Sequence, residues 1–129
     1  MISIVRRYLV LANQTLGGDQ LLAEVQRRVE AGPATFYVVV PAQPDRDMAA
    51  ARLSEALGRF RSVGAQAAGE VGDPHPMAAV HDALEQHPVD EVIVSTLPAG
   101  LSKWIQNDTP SKIERVFSLP VVHVISTDS

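Results

Sequence analysis

The stretch TPSKIERVFSLPVVHVIS, residues 109–126, changes its hydrophobic period in the middle. Ile113, Val116 and Phe117 recur at helical spacing, with Thr109 placed to cap the helix and Pro110 at its first position. After Leu119-Pro120 the pattern becomes a β-branched run, Val121, Val122, Val124 and Ile125, interrupted by His123. A helix that hands over to an apolar strand at the end of a chain needs a sheet to join. The strand must be covered on its faces and paired or protected at its edge.

The rest of the sequence supplies that sheet. RYLVLANQ (7–14) is a continuous apolar run, as expected of a strand buried on both faces. Leu21, Leu22, Val25 and Val29 then follow at helical spacing until Gly32-Pro33 stops them. TFYVVV (35–40) reads as a second strand. Asp45 is the expected N-cap of a helix carrying Met48, Leu53, Leu57 and Phe60. Residues 65–71 read as a weak third strand at a sheet edge, with Gly69 weakening it. PMAAVHDALEQH (76–87) is a helix with Pro76 in its first turn, and residues 89–95 form a fourth strand. LSKWIQND (101–108) reads as a short helix or wide turn. Alternation of strands and helices at these lengths predicts one α/β domain over residues 1–129. Its core is an open, doubly wound, mostly parallel sheet with helices on both faces.

Composition narrows the function classes. The chain has 129 residues, 46% hydrophobic and 20% charged, which fits one folded domain. A net charge of -4 argues against a nucleic-acid partner. The absence of cysteine excludes disulfides, thiolate chemistry and cysteine-ligated zinc. Arg6 and Arg7 interrupt the N-terminal apolar run, which is neither a signal-peptide core nor a membrane span, so a cytoplasmic protein is expected.

In open parallel sheets ligands bind beyond the C-terminal ends of the strands. Those ends carry Asn13 and Gln14, Pro41, Gly72, and Ser95, Thr96 and Gly100. The same small and polar residues also serve ordinary tight turns. Asn13 offers both donors and an acceptor, suited to a base edge or to capping the Gly17-Gly18 loop. Thr109, Ser111 and Lys112 at a helix start form a candidate phosphate site, with Lys103 on the same rim. Neither a dinucleotide fingerprint nor a phosphate-loop motif occurs. No metal site is expected from the four histidines, and no nucleophile, base and orienting group assemble into a catalytic set.

The whole chain resembles a universal stress protein domain. The likeness lies in YLVLANQ, GDPHPMAAVHDAL, VDEVIVS and above all SKIERVFSLPVVHVI, where Glu114-Arg115-Val116 precedes the proline-led strand. The resemblance implies a five-stranded sheet of order 3-2-1-4-5, ATP or a related adenine nucleotide as ligand, and a homodimer paired through the last strand, 120–125. In that order the last strand lies at the sheet edge with no charge to protect it. The family's acidic residue on the adenine side falls near Asn13. Its phosphate motif of spaced glycines falls on STLPAGLSKWIQNDTPSK, where Pro110-Ser111 replaces the closing Gly-Ser and the glycine spacing is not kept. Three functions follow as expectations. The first is a non-catalytic dimer that binds a nucleotide or another small anion. The second is a protein-interaction module without a small ligand. The third is a weak nucleotide-processing enzyme.

Overall fold

The computed structural model describes residues 4–126. Its elements alternate as the sequence predicts: β1 (Arg6–Leu11), α1 (Asp19–Ala31), β2 (Ala34–Pro41), α2 (Arg46–Ser62), β3 (Gln66–Gly72), α3 (Pro76–Gln86), β4 (Glu91–Thr96), α4 (Lys103–Gln106), α5 (Thr109–Phe117) and β5 (Val121–Ile125). The five strands form one sheet in the order β3-β2-β1-β4-β5, and every neighbouring pair is parallel. This is the doubly wound architecture expected from the sequence.

The period of two along the strands sorts the core into two layers. Tyr8, Val10, Ala12, Phe36, Val38 and Val40 face Leu21 and Val25 of α1 and Leu53, Ala56 and Phe60 of α2. Leu9, Leu11, Val39, Val92 and Val94 face Ala79, Val80 and Ala83 of α3 and Ile113 of α5. Strands in the middle of the sheet are therefore apolar at successive positions, which is why β1, β2 and β4 read as continuous runs. The chain winds outward from β1 to β3 with α1 and α2 on one face. It then crosses to β4 and β5 with α3 and α5 on the other.

Local sequence choices hold up with three adjustments. Asp45 caps α2 as predicted, its carboxylate accepting from the Met48 N–H at 2.9 Å. Thr109 does not cap α5: it is the first residue of the helix and is buried, and the left-handed Asp108 precedes it without a side-chain cap bond. Val116 does not belong to the apolar face of α5. It is 64% exposed, while Ile113 is fully buried and Phe117 packs partly. Gly69 does more than weaken β3. A Cβ there would collide with the Val38 carbonyl oxygen and come within 2.8 Å of Leu53 Cδ1, so this edge strand fits under α2 only with glycine.

At the N-terminal end of the sheet, opposite charges pair, although the buried Glu91 Oε2 accepts no well-aligned hydrogen bond. Arg28 Nε meets Glu24 Oε2 at 2.8 Å and Arg28 Nη1 meets Glu91 Oε2 at 2.8 Å. The Arg28 guanidinium also lies 5.2 Å from the centroid of the Tyr8 ring. Arg6 and Arg27 add further ion pairs to Glu91 and Glu24. Among the described residues no helix is long and apolar enough to cross a membrane.

Candidate functional site

The direction of winding reverses between β1 and β4, so the loops that leave these two strands diverge to opposite faces and open a crevice. A cleft of about 460 Å³ lies there. Its floor comes from the β1 exit, Asn13, Gln14 and Thr15, and from the β4 exit, Ser95, Thr96 and Leu97. Gln43, Pro44 and Arg52 wall it from the α2 side. Leu101, Ser102, Lys103 and Trp104 wall it from the α4 side.

Asn13, Thr15, Ser95 and Thr96 of the floor are buried polar residues, each with a hydrogen-bond partner in the fold. Thr15 Oγ1 and Ser95 Oγ lie 2.6 Å apart, joining the two strand exits across the point of reversal. Thr96 Oγ1 lies 2.7 Å from His123 Nε2 on β5, and the Ser126 N–H donates to the Thr96 carbonyl at 2.8 Å. Partial burial pushes the His123 pKa below its ordinary value, so the neutral ring is favoured beside the Thr96 hydroxyl. Ser102 caps α4, its Oγ accepting from the Ile105 N–H at 3.3 Å.

Asn13 is committed to the protein. Its Nδ2 donates to the carbonyls of Pro41 and Gln43, each at 3.0 Å, and its Oδ1 accepts from Arg52 Nη1. The side chain thus pins the β2–α2 loop to the end of β1. This differs from the sequence expectation that it reads a ligand edge or caps the Gly17-Gly18 loop. Arg52 Nη1 also approaches the Gln43 carbonyl at 3.5 Å.

Five of the sequence-predicted site residues, Asn13, Gln14, Ser95, Thr96 and Lys103, line the cleft together. The others lie outside its lining. Pro41 and Gly72 end β2 and β3 and use their carbonyls inside the fold, Pro41 for Asn13 and Gly72 for the Ala42 N–H. Gly100 sits in the loop before α4 at φ +92°, a conformation that glycine adopts without strain. Thr109 is buried in α5, and Ser111 and Lys112 stand exposed on that helix. The candidate phosphate group of residues 109–112 is therefore not part of the cleft wall. Sequence reasoning missed Arg52. It lies mid-helix among Arg46, Arg59 and Arg61, and no local pattern separates it from a solvated arginine.

Two cations, Arg52 and Lys103, line the cleft, and no carboxylate does. In a chain of net charge -4, that local sign is the cleft's main electrostatic feature. Among the described residues no group of three or more His, Asp or Glu side chains is placed to hold a metal ion.

No family model and no curated protein matches the chain. Solved structures do. A universal stress protein in complex with cAMP superposes with a TM-score of 0.68 at 21% identity, covering 93% of this chain and 96% of the other. A universal stress protein from Archaeoglobus fulgidus gives a TM-score of 0.67 at 15% identity, covering 92% and 93%. One from the same organism in complex with dAMP gives 0.66 at 12% identity, covering 95% and 99%. The chain has the universal stress protein fold along nearly its whole length.

Proposed function

We propose that this chain is a non-catalytic binding protein for a small anionic ligand, with an adenine nucleotide as the leading candidate. The observation that carries the reading is the cleft at the point of strand reversal, polar at its floor and lined by Arg52 and Lys103 without a carboxylate. Its volume, about 460 Å³, lies in the range of small-molecule sites. Proteins of the same fold in complex with cAMP and dAMP support the choice of nucleotide. Isothermal titration of the folded protein with ATP, ADP, AMP and cAMP tests it. Saturable heat from at least one of them is expected, and none at millimolar ligand overturns the reading. Prolonged incubation with ATP is expected to leave it unchanged. ADP or AMP formed in proportion to protein would make the chain an enzyme instead.

The same reading takes the protein to be a cytoplasmic homodimer joined through β5. β5 ends the sheet with one edge unpaired by any described strand, and Ile125 is 44% exposed. A two-fold axis beside β5 would extend the sheet through both subunits. Sedimentation at micromolar concentration should give a species of twice 13.9 kDa, and a single species at 13.9 kDa rejects the dimer.

A further inference from the structure

The sheet has two edges, β3 and β5, and the fold treats them differently. The bonds on the inner side of each edge strand fix which peptide groups point out. Gly72 turns its carbonyl inward, accepting from the Ala42 N–H just past β2 at 3.1 Å. Peptide groups alternate along a strand, so Ala67, Gly69 and Val71 turn their N–H and C=O outward, away from β2. On β5 the Pro120 carbonyl accepts from the Val92 N–H at 2.9 Å, and the Ser126 N–H donates to the Thr96 carbonyl at 2.8 Å. Val121, His123 and Ile125 therefore turn their N–H and C=O to the free edge.

On β3 the outward carbonyls are occupied from α2, which reaches over the edge at both ends. Arg61 Nη2 donates to the Ala67 carbonyl at 2.7 Å, and Arg46 Nη1 donates to the Val71 carbonyl at 3.3 Å. Arg46 opens α2 and Arg61 lies in its last turn, so the length of the helix sets the two arginines on the two ends of the strand. Only the central outward carbonyl, on Gly69, has no side-chain donor among the described residues. β5 has no such cover. Among the described residues no side chain donates to the carbonyls of Val121, His123 or Ile125, and the His123 ring turns to Thr96 instead.

We infer that Arg46 and Arg61 guard the β3 edge and confine strand addition to β5. An arriving strand would compete with a guanidinium for the same carbonyl oxygens, and its own N–H groups would face a cation that offers donors only. A chain with both edges open adds copies without end, whereas a chain with one open edge closes as a pair. The inference is independent of the ligand reading and concerns the edge opposite the proposed dimer contact.

The test compares the full unmutated chain with the double variant Arg46→Ala/Arg61→Ala by sedimentation, circular dichroism and amide hydrogen exchange. It runs at the highest concentration at which the unmutated chain gives a single species. That species, monomer or dimer, is the baseline, so failure of the β5 dimer and failure of the guard are read separately. The double variant should reach at least about twice the baseline mass, with open-ended growth where β5 pairs as well. Exchange at Ala67, Gly69 and Val71 should slow as the mass rises, because an added strand bonds those amides. The double variant is more negative than the unmutated chain, so the rise does not come from lost repulsion. Arg59→Ala controls for the loss of an α2 cation. Arg59 meets the Gly17 carbonyl and Asp19, away from β3, and its loss should leave the mass at baseline. Adding Ala67→Pro to the double variant should restore the baseline, since it removes an outward N–H and no bond to β2. A folded double variant that stays at baseline mass overturns the inference. So does a larger species whose slowed amides lie in β5 and not in β3, or a rise that Arg59→Ala reproduces. Should the double variant fail to fold, Arg61→Ala alone, which removes the shorter of the two bonds, decides by the same measurements.

Discussion

The two ends of the sheet treat charge in opposite ways. At the N-terminal end, Arg28 is enclosed by Glu24, Glu91 and the Tyr8 ring, and each charge has an opposite charge within the fold. At the C-terminal end, Arg52 touches only a neutral amide and a carbonyl, and Lys103 stands at the rim of the same cleft. A compensated charge holds structure together, while a charge left with neutral partners is available to something else. The contrast sets an end that holds the fold together against the end where ligand binding is proposed, and four measurements can break or sharpen it.

The largest expected effect is at the compensated end. Glu91→Ala leaves Arg28 partly buried with one carboxylate instead of two. Removing one partner of a buried pair should lower stability by about 3 kcal/mol in urea unfolding while nucleotide affinity stays unchanged. An unaltered unfolding midpoint would mean that the network is as dispensable as a surface pair. Next comes Gly69→Ala in β3. Its Cβ meets the Val38 carbonyl and Leu53, so about 2 kcal/mol should be lost, again without a change at the cleft. At the C-terminal end, Ser95→Ala removes the partner of the Thr15 hydroxyl. It should cost about 1 kcal/mol in stability but shift nucleotide affinity as well. If affinity is untouched, the floor of the cleft is scaffold and not site.

The smallest effect separates the ends by pH. Asp90, beside Arg7 at the N-terminal end, has its pKa lowered first by the Arg7 N–H that it accepts at 2.9 Å and then, against the opposing effect of burial, by the charges of Arg7 and Arg6. A depressed folded value means that its stabilisation is present above the ordinary carboxylate pKa of about 3.9 and is lost as pH falls below it. His123, beside the cleft, is depressed by burial. Its contribution is full above about 6.5 and declines as pH falls below that. Unfolding midpoints followed from pH 8 to 3 should therefore show a shallow loss that His123→Gln flattens in the upper window, and a second that Asp90→Asn flattens in the lower. Midpoints of the two variants that parallel the unmutated protein throughout would show that neither group titrates with folding.

How far the sequence was legible follows from how local each feature is. The exits of β1 and β4 were readable because ligand positions in such a sheet follow from strand ends. Asn13, Gln14, Ser95 and Thr96 needed only the placement of two strands. The phosphate group at residues 109–112 was read from composition at a helix start. The fold sets Thr109 inside the protein and leaves Ser111 and Lys112 exposed, outside the cleft lining. Val116 looked like core because it keeps helical spacing with Ile113. Spacing fixes which residues share a stripe, but not how wide a stripe the sheet covers.

By itself the sequence determined the element order, the two-layered core and the sheet class. Hydrophobic period and capping chemistry are properties of neighbours in the chain, and Asp45, Pro76 and the runs in β1, β2 and β4 carried them unaided. Tertiary structure alone decided what Asn13 bonds to and where Arg52 points its charge. Their partners lie 28, 30 and 39 residues away, brought together only once β1, β2 and α2 pack. A hydrogen-bonding side chain at a strand end has several equally good partners in an unfolded chain, and the crossover that delivers one of them settles its role.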